Sequence, residues 1–238
     1  MKLKVLLVTD LHYVSDPSFE NHCPTRDSKQ SLALFKGVLE RHRSDDIDLV
    51  LLLGDLVDDG NAACALGDAR AIAEAVKDAG IACIVAAGNH DTFPAEILTL
   101  FDDFEGLHTI KGYQFINFND TYLADNTCTR DTSKQKRFLG EVNPALPLIV
   151  LQHNLVYPEV NESYPYGFLN SNEILEAYEQ AGVLLSISGH FHPGIAPKQF
   201  RGIHFVTCPA LCERPYQYAI LTFDESRQIH LNLHTICI

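Results

Sequence analysis

Leu3-Lys4-Val5-Leu6-Leu7-Val8-Thr9-Asp10-Leu11-His12 begins as an apolar run broken only by Lys4 and ends on an acid and an imidazole. A short run of this kind, rich in Val and Leu, reads as a strand buried on both faces. The same composition returns at residues 49–53, 81–86, 146–151 and 183–187. Helical stretches lie between several of these runs. Residues 28–43 carry apolar side chains at Leu32, Leu34, Phe35, Val38 and Leu39. The Ala-rich stretch 69–79 stops at Gly80, and 170–181 starts on Asn-Ser and stops before Gly182. Strand, helix, strand in this order predicts crossover connections and a largely parallel sheet.

The last forty or so residues differ. Residues 199–204 read as a hairpin turning at Arg201-Gly202. Stretches 216–223 and 228–236 alternate around a turn at 224–227, and Lys111-Gly112 separates two short strand-like runs. The expected class is α/β, with two mixed sheets packed face to face and helices outside. No repeat or linker divides the 238 residues, so a single domain over 1–238 is expected.

The residues directly after each apolar run carry the chemistry. The five segments are Asp10-Leu11-His12, Gly54-Asp55-Leu56-Val57-Asp58, Gly88-Asn89-His90-Asp91, Gln152-His153-Asn154 and Gly189-His190-Phe191-His192. Each strand thus delivers metal-competent side chains at its carboxyl end, where open α/β sheets bind ligands. Asp10 and His12 are two apart, as are His190 and His192, so extended backbone would place each pair on one side. The glycines before Asp55, Asn89 and His190 permit close backbone approach. Carboxylate, amide oxygen and imidazole together suit borderline divalent ions such as manganese, iron or zinc.

The order D-x-H, G-D-x-x-D, G-N-H-D, a lone H and G-H-x-H resembles the calcineurin-like metallophosphoesterases over residues 10–192. The resemblance implies a four-layer α/β/β/α sandwich, which agrees with the architecture above. It implies that Asp10, His12 and His192 hold one metal ion, that Asn89, His153 and His190 hold a second, and that Asp55 bridges them. His90 corresponds to the family histidine that binds no metal and assists the leaving group. Asp91 would orient His90 by accepting its hydrogen bond. The implied reaction is hydrolysis of a phosphodiester or phosphomonoester by a hydroxide shared between two metals, with the diester favoured by analogy.

Composition narrows the partners. Eighteen Lys and Arg against 31 Asp and Glu give a net charge of −13, which disfavours long nucleic acid and a nuclease role. A small-molecule phosphoester is the expected partner. No apolar stretch approaches a bilayer span, and the N-terminal run lacks a cleavage site, so no membrane association is expected. Seven cysteines without a C-x-x-C pair fit a reducing cytoplasm rather than a disulfide framework. A scaffold that kept the fold without catalysis is the alternative, and the intact ligand set argues against it.

Substrate contacts are expected from loops 13–27, 119–137 and 154–168, with His22, Arg130 and Tyr164 as candidates and Arg214 within possible reach. Asp58 is expected to support the site from behind. The pairs Asp58-Asp59 and Asp102-Asp103 otherwise read as solvated surface, as do His230 and His234 on the terminal strand.

Overall fold

Each of the five apolar runs forms a strand in the computed structural model, which describes residues 2–21, 23–91, 99–101 and 105–237. They are β1 (Leu3–Val8), β2 (Leu49–Leu53), β3 (Ala82–Ala86), β8 (Leu148–Leu151) and β9 (Val183–Ser188). The expected hairpins are also present. They are β4 (Gly106–Ile110) with β5 (Tyr113–Asn117), β10 (Ile195–Phe200) with β11 (Ile203–Thr207), and β12 (Gln217–Phe223) with β13 (Ile229–Thr235). A small ribbon pairs β6 (Thr121–Tyr122) with β7 (Cys128–Thr129).

The strands divide between two mixed sheets. The first has the order β13-β12-β1-β2-β3, with β1, β2 and β3 parallel and β12 antiparallel to β1. The second has the order β10-β11-β9-β8-β5-β4, parallel at its centre with an antiparallel strand at each edge. The five ligand-bearing strands therefore belong to two sheets rather than one.

Strand alternation explains the layering. Leu3, Val5 and Leu7 of β1 join Leu49, Leu51 and Leu53 of β2 in a core shared with Phe115, Ile149, Leu151, Leu185 and Ile187 of the second sheet. Leu6 and Val8 face the other way, onto α1 (Ser31–Arg41) and α2 (Ala65–Ala79). Across the molecule, Ile116, Leu148, Val150 and Phe205 pack on α3 (Thr132–Gly140) and α4 (Ser171–Ala181) through Phe138, Ile174, Leu175 and Tyr178. The result is helices, sheet, sheet, helices. Burying one such Leu contributes roughly 1.5–3 kcal/mol, which is why the central strands contain almost nothing else.

Several sequence expectations change. The stretch 28–43 is a 3-10 turn (Ser28–Gln30) followed by α1, not one helix. Loop 119–137 contains the β6–β7 ribbon and the start of α3, whose N-cap Asp131 accepts from the amides of Ser133 and Lys134. His230 is exposed as expected, but His234 is half-buried and stacked on Tyr218 with ring centroids 5.4 Å apart. His42 is buried beside them, bridging Asp45 at 2.8 Å and the Tyr218 hydroxyl at 2.9 Å. All seven cysteines are free. Among the described residues no helix is long and apolar enough to cross a membrane.

Arg130 is a structural residue, which corrects its assignment to substrate. Its side chain is 1% exposed and paired with Asp120 through two hydrogen bonds of 2.7 and 2.6 Å. It also donates to the Tyr178 hydroxyl and lies 3.9 Å over the Phe118 ring. Tyr178 donates in turn to Gln152, next to His153. Removing one member of a buried ion pair strands the other, so Arg130→Met should cost about 3–5 kcal/mol in urea denaturation. Lys134→Ala, which breaks the more exposed pair with Glu105, should cost under about 1 kcal/mol. Equal costs would show that Arg130 is not the strut described.

Candidate metal centre

Past the end of β1 the chain keeps company with the segment after β2. The Asp10 amide donates to the Gly54 carbonyl at 3.0 Å, His12 to Asp55 at 2.8 Å and Tyr13 to Leu56 at 2.9 Å. This stretch is not extended. Asp10, His12, Asp55 and His190 have φ of 53°, 45°, 50° and 67°, in the left-handed region that costs side-chain-bearing residues of order 1–3 kcal/mol each. The two-residue spacing of Asp10 with His12, and of His190 with His192, thus works through turns rather than through strand alternation. The surroundings hold these turns in place. Asp10 Oδ2 accepts from Thr9 Oγ1 at 2.5 Å and from the His190 amide at 3.0 Å, and Asp55 Oδ1 accepts from the His90 amide at 2.9 Å.

Two glycines make this packing possible. A Cβ on Gly88 would lie 2.1 Å from Asp55 Oδ1, and one on Gly189 would lie 1.9 Å from Thr9 Oγ1. No side chain fits either place.

The seven expected ligand residues meet where the two sheets' strand ends converge. Asp10, His12 and His192 offer donor atoms within 4.8 Å of one another, and so do Asp55, His153 and His190. Asp55 Oδ2 stands between the groups, 3.4 Å from His12 Nε2 and 3.3 Å from His153 Nε2. Asn89 is buried beside them, its Nδ2 donating to the Tyr164 hydroxyl at 3.3 Å.

The imidazoles are oriented from behind. His153 Nδ1 bonds the Leu53 carbonyl at 2.6 Å and His192 Nδ1 bonds Glu213 at 2.6 Å. His12 Nδ1 lies 3.2 Å from Asp58, and His90 Nδ1 donates to the Asp58 carbonyl. His153, His192 and His12 so fixed have Nε2 left for the cluster, the arrangement found behind metal-ligating histidines. Asp10 Oδ1, Asn89 Oδ1, His153 Nε2 and His190 Nε2 are buried without a hydrogen-bond partner. Such buried polar atoms carry a desolvation cost that a cation would relieve, so these residues fit a metal.

The charge balance agrees. Burial would drive the His192 proton off, yet Asp10 and Glu213 hold its pKa up to about 10. His153 is likewise raised to about 9 against burial, by Asp55 and Asp10. Burial lowers His12 to about 4, offset in part by Asp55, and lowers His190 to about 3 with help from neighbouring His153.

The other candidates take varied positions. Asp91 does not orient His90. Its Oδ1 accepts from the amides of Leu56 at 2.8 Å and Val57 at 3.3 Å, and its Oδ2 from Gly88 at 2.9 Å. The chain turns tightly at 88–91, pointing the two neighbouring side chains to different partners. Asp58 is buried and supports His12, while Asp59 is exposed, so the pair is not uniformly solvated. Tyr164 lies against the cluster, its ring 5.6 Å from that of His190. Arg214 is exposed and pairs with Asp27 at 3.4 Å. His22 and the pair Asp102-Asp103 lie outside the described residues. Two residues escaped sequence reading. Arg26 Nη1 lies 3.3 Å from His12 Nδ1 and 3.4 Å from Asp58, and Glu213 holds His192. Nothing in their local sequence marks either residue.

Comparison with known families matches residues 3–194 to the model described as calcineurin-like phosphoesterase. Among solved structures, a dimetal phosphatase from Danio rerio superposes with a TM-score of 0.81 at 14% identity, covering 98% of this chain and 96% of that one. A purple acid phosphatase from yellow lupin gives 0.67 at 14% identity, over 99% of this chain and 52% of that one. A putative 5'-nucleotidase from Staphylococcus aureus gives 0.65 at 14% identity, over 99% and 54%. Comparison with curated protein sequences gives no match.

The bracing role of Asp91 has a stability signature. Asp91→Ala leaves three buried amides without an acceptor, at roughly 1–3 kcal/mol for each group left unsatisfied. Chelator-treated Asp91→Ala should therefore lose at least about 3 kcal/mol in urea, whereas His90→Ala should lose about 1 kcal/mol. Similar losses in both variants would remove the brace.

Proposed function

The chain belongs to the calcineurin-like phosphoesterase family, and on that footing we propose that it hydrolyses a phosphoric ester with two divalent metal ions seated between the two sheets' strand ends. The observation that carries this reading is that Asp10 Oδ1, Asn89 Oδ1, His153 Nε2 and His190 Nε2 are buried and make no hydrogen bond. In this reading Asp10, His12 and His192 hold one ion, and Asn89, His153 and His190 hold the other. Asp55, whose Oδ2 faces both groups, serves both. The mixed oxygen and nitrogen donors suit manganese, iron or zinc. A bound pair of this kind acidifies water and neutralises charge on the phosphoryl oxygens.

The chain's own residues supply the rest. His90 donates Nδ1–H to the Asp58 carbonyl, so Nε2 is the atom at which it can hold a proton for the departing oxygen. Its ring sits 4.5 Å from that of His12, beside the phosphoryl position. Arg26, anchored by Asp58 at 3.4 Å and near Glu213 at 3.7 Å, places a guanidinium against the Nδ1 edge of His12 at 3.3 Å. Asp58 and Glu213 flank the guanidinium and offset its charge. A diester carries a single negative charge and needs less positive charge from the chain than a doubly charged monoester, which favours the diester.

Calorimetric titration with manganese should give two ions per chain. The loaded protein should cleave bis(4-nitrophenyl) phosphate faster than 4-nitrophenyl phosphate. Asn89→Ala should lose one ion, while His90→Ala should keep both and turn over ~10²–10⁴-fold more slowly. Asp55→Asn should impair metal binding more than Asp58→Asn. A folded protein that takes up no manganese, or a His90→Ala variant that loses an ion, would contradict the assignment.

A further inference from the structure

Beside the ligand cluster lies a cavity of about 550 Å³, walled by the segment after β8 and by Phe200 at the end of β10. Its aromatic wall reaches the ring of His190. Tyr164 and Tyr166 line it, and their rings stand 5.6 and 5.4 Å from the ring of His190. On the far side Tyr157 stacks on Phe200, with centroids 4.6 Å apart and planes 9° from parallel. The charges on the lining are Glu159 and Glu162, both exposed. Among the described lining residues there is no Lys or Arg.

We propose that this cavity seats one arm of the ester, and that the arm is an aromatic group bearing no negative charge. The proposal rests on the phosphoesterase reading, since the adjoining cluster must hold the phosphoryl group whose arm enters the cavity. Tyrosine and phenylalanine faces favour a flat ring by offset or edge contact. Their electron-rich faces and the two carboxylates favour neutral or cationic substituents and repel an added anion. A small molecule is the occupant that fits, because the volume matches a ligand pocket and two of its tyrosines stand beside His190.

Inhibition of the manganese-loaded protein by phosphonates tests the arm without changing the leaving group. Benzylphosphonate should inhibit at least ~10-fold more strongly than methylphosphonate, the gain expected of about 1.4 kcal/mol of added binding. Phe200→Ala and Tyr157→Ala should each erase most of that gain and leave the methylphosphonate constant unchanged. 4-Carboxybenzylphosphonate should lack the gain in the unmodified chain and recover it in the Glu159→Gln/Glu162→Gln double variant. Phe200 and both glutamates are exposed, so their changes spare the core, and circular dichroism checks the fold of Tyr157→Ala, whose ring packs on Phe205. Equal inhibition by benzyl and methyl compounds overturns the proposal, as does a gain that survives both ring deletions or a carboxylate that is tolerated from the start. In those cases the phosphoesterase reading stands. If no ester is hydrolysed at all, that reading falls and the arm assignment falls with it.

Discussion

Asp10 and Asp55 are carboxylates almost without access to water, 0% and 2% exposed, at the point where two sheets meet. An ionised group in such a place is tolerated only with compensating charge and hydrogen bonds. Much of the surrounding structure supplies that compensation. Amides of His190 and His90 satisfy one oxygen of each acid, and imidazoles crowd the other. The shortfall that remains is positive charge, and the same geometry that creates the shortfall gathers the nitrogen and oxygen donors able to hold a cation.

Around this centre runs a layer of residues that hold its side chains and turns in place. Glu213 fixes His192, Asp58 fixes His12 and Arg26, the Leu53 carbonyl fixes His153, and Asp91 ties Gly88 to Leu56 and Val57. Further out, Gln152 bonds Ser186 and the Ile187 carbonyl, linking the strand that bears His153 to β9. Four left-handed backbone positions persist because these contacts over-determine them. Local strain and local rigidity therefore have one origin here.

The central strands were legible because burial on both faces leaves a composition that few other elements share. The seven ligand-type residues were legible because each comes directly after such a strand. The features that stayed hidden depended on contacts across the chain. Arg26 and Glu213 approach the same histidine cluster from positions 187 residues apart, and no local pattern records that meeting. Asp91 adjoins His90 in sequence, which suggested a pair, but the turn at 88–91 separates their side chains. Arg130 looked like a free cation in a polar loop. Only the packing of α4 and the placement of Asp120 reveal it as a buried strut. The short helix α3 was hidden because its apolar periodicity is weak and its clearest mark is the cap at Asp131.

The first sheet has one further implication. Its earliest strand, β1, lies between β2 and β12, with Leu3 opposite Phe223. At about 5–20 residues per second, a ribosome takes on the order of ten to forty seconds to reach that partner. Through this interval one edge of a strongly apolar strand has no neighbour, and such an edge invites pairing with other chains. Early translation products of this protein should therefore depend on chaperone shielding to a degree that its finished form does not suggest.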